Sequence, residues 1–475
     1  MSRFVTRKLL LTLTLAVAGL VTATALPRAG SQSIPGSRDR SDEVRRSIEE
    51  GRAKYVFLFI GDGMGDSEIT LARNYEVGAA RRLSMDKLPL TGAYTTYSVQ
   101  EGNPALSDYV PDSAATGTAW ATGVKTSNGR ISTVAGSATR TPLTTVLELA
   151  QDAGYKVGNV STAELTDATP AVLNSHVNDR GCQGPSNMGP CGAYLKANGG
   201  PGSIAEQSVD HRVDVLLGGG RARFAQIITS GPHAGKTVIE SAQLQGYTVV
   251  QDAAGLAATK PGDQVLGLFN NGNMTLEWAG AQASLFPGSG PQSCTENRRA
   301  TLTNEPSLAE MTSKAIELLG ADDRPGRGRG RSRTPGFFLQ VEGASIDKQD
   351  HAESPCQQIG ETIAFDRAIQ VALDFAKDHR DTLIIVSADH GHTSQIVPVP
   401  VAGELARPGA LSTLITKEGA LMTVNYATRA HGQSQDHTGT QVRVAAQGPQ
   451  AANVVGVIDQ TYVFHIISRA LGLDD

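Results

Sequence analysis

Tyr55-Val56-Phe57-Leu58-Phe59-Ile60-Gly61-Asp62-Gly63-Met64-Gly65 is the stretch that decides the fold. An unbroken apolar run ending in a glycine-rich turn reads as a strand buried on both faces, the kind found in parallel sheets. Two later stretches repeat the design. Residues 337–341 lead into Glu342, and residues 382–388 lead into Asp389. Further strands are expected at 157–160 and 441–446. Helices are expected at 42–52, 113–122, 143–153, 308–319 and 362–377. Gly154 and Gly320 stand where two of these helices should stop. Strands alternating with helices predict an α/β fold: a large, mostly parallel sheet flanked by helices on both faces. Ligands bind at the carboxyl ends of strands in such sheets. Asp62, Glu342 and Asp389 all sit at such ends, so a metal site is expected there.

The residues around these three acids belong to metal and phosphoester chemistry. Asp347 and His351 are four apart, which one helical turn places on one face. Asp389 and His390 are adjacent just after a strand, and His437 can complete the first set. Zinc favours such mixtures of imidazole and carboxylate, and two cations side by side can clamp a phosphoryl group. An isolated Asp–His pair is more often a structural hydrogen bond. Several such clusters at strand ends are harder to explain that way. Ser113, in Pro111-Asp112-Ser113-Ala114-Ala115, stands at the start of a predicted helix. The ordinary role there is N-cap, but a helix N-terminus also favours anions and could host a nucleophile. No G-x-S-x-G elbow surrounds it, which argues against an esterase triad.

The N-terminus reads as an export signal. Arg3, Arg7 and Lys8 precede an apolar run to Val21, and Ala23-Thr24-Ala25 gives a small-x-small cleavage site. The run is short for a membrane span, and no stable anchor is expected after cleavage near Ala25. Residues 1–25 are therefore read as a signal peptide, 26–53 as an N-terminal arm and 54–475 as the catalytic domain. Within that domain, 324–334 is an Arg/Gly-rich stretch expected to form a surface loop. The formal charge of −5 gives no support to nucleic-acid binding. Hydrophobic residues make up 40% of the chain, which excludes a disordered composition. The even set of Cys182, Cys191, Cys294 and Cys356 in an exported chain suggests disulfides. Spacing alone leaves all three pairings open.

From about Lys54 to Leu473 the chain resembles bacterial alkaline phosphatases of the periplasmic type. The matching stretches are 60–75, 108–126, 158–171, 216–220, 337–351 and 450–460. The resemblance implies hydrolysis of phosphate monoesters through a phosphoserine on Ser113, releasing inorganic phosphate. It implies two zinc ions, one on Asp347, His351 and His437, the other on Asp62, Asp389 and His390. It further implies one magnesium on Asp62, Thr169 and Glu342. Arg180 matches the phosphate-clamping arginine, with Asp167 and Lys348 close to magnesium and phosphate, and His392 supports the zinc shell by hydrogen bonding. Pairing of Cys182 with Cys191 and Cys294 with Cys356, a homodimer, and a periplasmic or secreted location are likewise implied. A sulfatase of the same superfamily would need a C/S-x-P-x-R motif, which Ser113-Ala114-Ala115 lacks. A metal or phosphate binder without turnover would have no use for the serine.

Overall fold

A computed structural model describes residues 39–297, 304–320 and 335–473. The signal segment, the start of the arm and the 324–334 stretch lie outside the described residues.

The core is a ten-stranded sheet. Its order is Gly456–Asp459, Leu90–Thr95, Val442–Gln447, Thr382–Ala388, Tyr55–Gly61, Phe337–Gly343, Lys156–Glu164, Val215–Gly219, Val265–Leu268, Thr248–Val250. The seven strands from Thr382–Ala388 to Thr248–Val250 run parallel. Val442–Gln447 is antiparallel to both of its neighbours. Every residue of the three strands predicted first is buried, which requires cover on both faces. Two groups of helices supply it. Pro355–Asp378 packs with Leu308–Leu319 and Asp66–Glu76, while Ser113–Thr122, Ala168–Asn174, Val146–Asp152 and Tyr462–Leu471 pack with one another.

Register matters more than strand count. Ile60 pairs with Glu342 and Ser387, and Gly61 pairs with Gly343 and Ala388. Glu342 pairs in turn with Ser161. Three adjacent parallel strands therefore end level, and each carries one acid at or just past its end.

Helix bounds shift for local reasons. The predicted helix at 143–153 is Val146–Asp152, because Thr145 and Glu148 form a capping box at its start. Gly154 then takes φ +85°, as a helix-stopping glycine should. The helix expected at 362–377 begins earlier, with Pro355 in its first turn. A second sheet built from Ala410–Ile415, Leu421–Tyr426, Gln395–Val397, Ser284–Leu285 and Ser289–Gln292 is not foreseen from the sequence. Both disulfides form, Cys182–Cys191 and Cys294–Cys356. Among the described residues no helix is long and apolar enough to cross a membrane.

Asp86 ties the strand Val442–Gln447 of the main sheet to the helix Asp66–Glu76. It accepts bidentate bonds from Arg73 at 2.7 and 2.8 Å and one from Arg443 at 2.8 Å. Burial works against its charge, but the two guanidinium groups lower its pKa to about 2. Asp86→Asn is expected to cost about 3 kcal/mol, since two partly buried cations lose their partner. A lowered carboxyl pKa stabilises above the unfolded value near 4, and that contribution fades as pH falls toward 2. Urea melts at pH 7 and pH 3 test this: the penalty should be large at pH 7 and smaller at pH 3.

Candidate active site

Asp62 follows Gly61, and its amide is held by the Gly343 carbonyl at 3.1 Å. Gly63 turns the chain with φ +66°. A Cβ there would meet Asp347 at 3.0 Å, so the turn and the close approach both require glycine. The Gly63 amide donates to Asp389 Oδ1 at 2.8 Å, which orients that carboxylate. Asp62, Asp389 and His390 form one group whose ligand atoms all lie within 4.8 Å of one another.

Hydrogen bonds assign the tautomers. His390 Nδ1 faces the Gly391 carbonyl at 3.3 Å, so Nε2 bears the lone pair. Nε2 lies 3.1 Å from Asp389 Oδ2 and 3.5 Å from Asp62 Oδ1. With the acids ionised and the imidazole neutral, these three atoms are all acceptors, and Asp389 Oδ2 is buried with no hydrogen bond. A cation satisfies that arrangement.

Asp347, His351, His392 and His437 form a second group. Asp347 and His351 sit on the short helix Ser345–His351, one turn apart as predicted. His351 Nδ1 bonds the Gln435 carbonyl, and His437 Nδ1 bonds the Pro111 carbonyl at 3.0 Å. Both rings therefore turn Nε2 toward Asp347, at 3.4 and 3.2 Å. A carbonyl holding the far nitrogen is how metal-binding imidazoles are oriented. His392 differs. Its Nδ1 accepts the Thr393 amide at 2.9 Å, so Nε2 carries the proton and points at Asp347 Oδ1, 3.1 Å away. Its N–H stands beside the carboxylate rather than turning a lone pair to it.

Ser113 opens the helix Ser113–Thr122, but Asp112 is the cap, accepting the Ala115 amide at 3.0 Å. The serine is thereby released from that role. Its Oγ lies 3.3 Å from His390 Nε2 and 3.4 Å from Asp62 Oδ1. Arg180 Nη1 donates to Asp112 Oδ2 at 3.1 Å and Nη2 to Asp167 Oδ1 at 2.9 Å. Lys348 donates to the other Asp167 oxygen at 2.8 Å. Asp167 also caps the helix Ala168–Asn174, whose second residue is Thr169. Glu342 accepts a bond from Ser161 and lies near enough to Thr169 and Asp62 for each to influence or feel its charge.

The electrostatics are those of crowded, dehydrated carboxylates. Burial, then the charges of Asp347 and Asp389, push Asp62 well above the ordinary carboxyl range. Burial raises Glu342 to about 8. Burial also opposes the charge on Asp389 and Asp347. His390 nevertheless brings Asp389 to about 2, and the adjacent His392 and His437 hold Asp347 well below its usual value. Lys348 and Arg180 overcome their own burial through Asp167, with Asp112 helping the arginine, and stay charged. Two buried acids escaped the sequence reading. Glu68 is raised to about 7 by burial, and Asp350, raised likewise, feels both Glu68 and Asp347. Only the polarity of an otherwise buried helix face could have flagged them.

The alkaline phosphatase family model matches residues 53–432 and 413–473. A streptomycin-6-phosphate phosphatase of Streptomyces griseus is 52% identical over 423 residues, covering 89% of this chain and 91% of that protein. An alkaline phosphatase of Escherichia fergusonii is 49% identical over 458 residues, covering 94% and 92%. The solved structure of alkaline phosphatase from the Antarctic bacterium TAB5 superposes with a TM-score of 0.66 at 22% identity, covering 90% of this chain and all of that one. On the strength of the family match and of relatives near half identity across most of its length, this chain belongs to the alkaline phosphatase family of metal-dependent phosphomonoesterases.

Proposed function

We propose that the chain hydrolyses phosphate monoesters through a phosphoserine on Ser113. Two zinc ions would bind, one to Asp347, His351 and His437, the other to Asp62, Asp389 and His390. One magnesium would bind to Asp62, Thr169 and Glu342, oxygen donors that suit a hard cation. Bound there, such ions stabilise anionic oxygens by Lewis-acid action. The supporting observation is Ser113 Oγ, free of the capping role at a helix N-terminus and within 3.4 Å of Asp62 and His390.

Ser113 Oγ bonds to phosphorus as the bond to the leaving oxygen breaks, and the proton given up by the serine is balanced by the one that the departing alkoxide takes up to leave as the alcohol. Water then cleaves the phosphoserine, returning the serine and releasing inorganic phosphate. Arg180 offers a planar fork of donors to the non-bridging oxygens. Asp112 and Asp167 hold that fork in place, and Lys348 neutralises Asp167. Turnover of 4-nitrophenyl phosphate but not of its sulfate or bis-ester is the expected result. Preference for the sulfate would defeat the reading. Streptomycin 6-phosphate should be assayed beside it, given the Streptomyces relative.

Arg180 positions phosphate rather than carrying the bond chemistry. Arg180→Ala is expected to weaken inhibition by inorganic phosphate about 10- to 100-fold, as loss of charged hydrogen bonds implies. The maximal rate should fall less. Complete loss of turnover at saturating substrate would instead make Arg180 essential in the transition state.

The two disulfides fit an exported protein. Cleavage near Ala25 and release to the periplasm or medium complete this reading, and mass spectrometry of the mature N-terminus tests it. Assembly as a homodimer is tested by sedimentation.

A further inference from the structure

Glu148, His176 and His211 form another metal-capable group among the described residues, with ligand atoms within 4.8 Å of one another. It shares no residue with the two groups at the sheet edge. Glu148 is the third residue of helix Val146–Asp152, and its Oε2 accepts the Thr145 amide at 2.8 Å. That leaves Oε1 for two imidazoles, with His176 Nε2 at 2.9 Å and His211 Nδ1 at 3.6 Å. His176 lies just past helix Ala168–Asn174. Gln207 clasps its backbone, accepting from the amide at 2.9 Å and donating to the carbonyl at 3.2 Å. His211 caps the end of helix Ile204–Asp210, and its carbonyl accepts from Gln151 at 3.0 Å. Three helix ends, each independently fixed, thus deliver three donors to one point.

Protonation decides what that point wants. His176 Nδ1 lies 2.9 Å from the Ser132 carbonyl. A carbonyl only accepts, so Nδ1 carries a hydrogen and Nε2 is the nitrogen left to face Glu148, whose charge raises the proton affinity of the ring against its burial. Nε2 and a carboxylate oxygen so close need a proton or a metal cation between them. A proton would serve His176 and Glu148 but leave His211 outside the bond. Burial lowers the proton affinity of His211, against the pull of Glu148, so its ring favours the neutral, ligating form. A single divalent ion serves all three donors. Ligand distances of about 2.0–2.2 Å put neighbouring donors roughly 3 to 3.5 Å apart, close to the 2.9 and 3.6 Å from Glu148 to the two imidazoles. Two imidazoles and one carboxylate suit zinc and its neighbours in the first transition row. The carbonyl behind His176 is the outer contact such ligands use. His176, His211 and Glu148 side chains are 11%, 25% and 23% exposed, which leaves an entry path and room for water.

We propose that Glu148, His176 and His211 bind one divalent ion of the zinc class, with water completing the shell, at a site separate from the hydrolytic centre. The ion would pin together the helices Val146–Asp152 and Ile204–Asp210 and the segment that runs on from His176 to Arg180.

The test is a zinc count by difference. Full-length wild type, His211→Ala and His211→Gln are dialysed to equilibrium against the same free zinc with saturating magnesium, then analysed for metal. Wild type should hold one more zinc per chain than either variant. Turnover of 4-nitrophenyl phosphate should be unchanged in both, which certifies the fold and the hydrolytic centre. Raising free zinc beyond the level that saturates activity should raise the melting temperature of wild type and not of the variants. Equal zinc counts in wild type and variants would overturn the proposal and leave the trio a hydrogen-bonded buttress. Because the readout is a difference, it holds whatever ions occupy the hydrolytic centre.

Discussion

Ser113→Ala is expected to lower turnover of 4-nitrophenyl phosphate by roughly a thousandfold or more, the scale of losing a covalent nucleophile. Direct attack by water would account for what remains. The fold should hardly notice. Asp112, not Ser113, caps the helix, so removing the hydroxyl costs no cap. The melting temperature of the metal-loaded variant should therefore stay within a few degrees of wild type. Acid quench with labelled phosphate should mark wild type on the peptide containing Ser113 and leave the variant unmarked. A label mapped to another residue, or a rate within tenfold of wild type, would refute the nucleophile assignment.

Chelation should be nearly as severe. Asp62, Asp347, Asp389 and Glu342 are all buried, and their mutual repulsion must be relieved by protons or by cations among them. Stripping the ions is expected to abolish turnover and to lower the melting temperature. A site held at a thousand times its Kd contributes ~4 kcal/mol to the folded state. Zinc plus magnesium should restore both properties, and magnesium alone should not. The metal-free chain should also show a characteristic pH dependence. Glu342, raised by burial to about 8, and His437, raised to about 9 by Asp347 against its burial, both have folded pKa values above the unfolded ones. Groups of that kind stabilise at low pH and lose their contribution as pH rises through the folded value. Melting temperature of the stripped protein should therefore fall between pH 6.5 and 9, and bound metal should flatten that fall. Active protein without zinc, cobalt or a similar ion would end the metal assignment.

Much of the architecture could be read from apolar runs. The strands Tyr55–Gly61, Phe337–Gly343 and Thr382–Ala388 are buried on both faces, so nothing interrupts their hydrophobic pattern. The second sheet stayed hidden because its strands bury polar residues. Thr413 and Thr423 pair hydroxyl to hydroxyl at 2.9 Å across Ala410–Ile415 and Leu421–Tyr426, which breaks the expected alternation. Asp347 and His351 announced themselves by helical spacing. No spacing announces His437, which arrives on an irregular segment secured by Gln435, itself bonded to Glu353 and to the amides of Thr428 and Arg429. At the Ser113 helix, the serine looked like the usual cap, while the aspartate before it accepts the bond. Glu148, His176 and His211 come from three elements, and only the packing of those elements brings them together.

The level ends of Tyr55–Gly61, Phe337–Gly343 and Thr382–Ala388 act as a ruler. Neighbouring strands lie about 4.7–4.9 Å apart because peptide groups set that distance. Paired ions that share a phosphoryl group sit about 3.5–4 Å apart. Two acids hung from adjacent strand ends thus begin near the right span, and side-chain torsions supply the small correction. The measuring is done by backbone hydrogen bonds, which side-chain substitutions other than proline leave in place. Exchanging a ligand for another type would change which ion is preferred while leaving where it sits almost untouched. Inserting one residue into any of the three strands would do the reverse, keeping every ligand and losing the gauge.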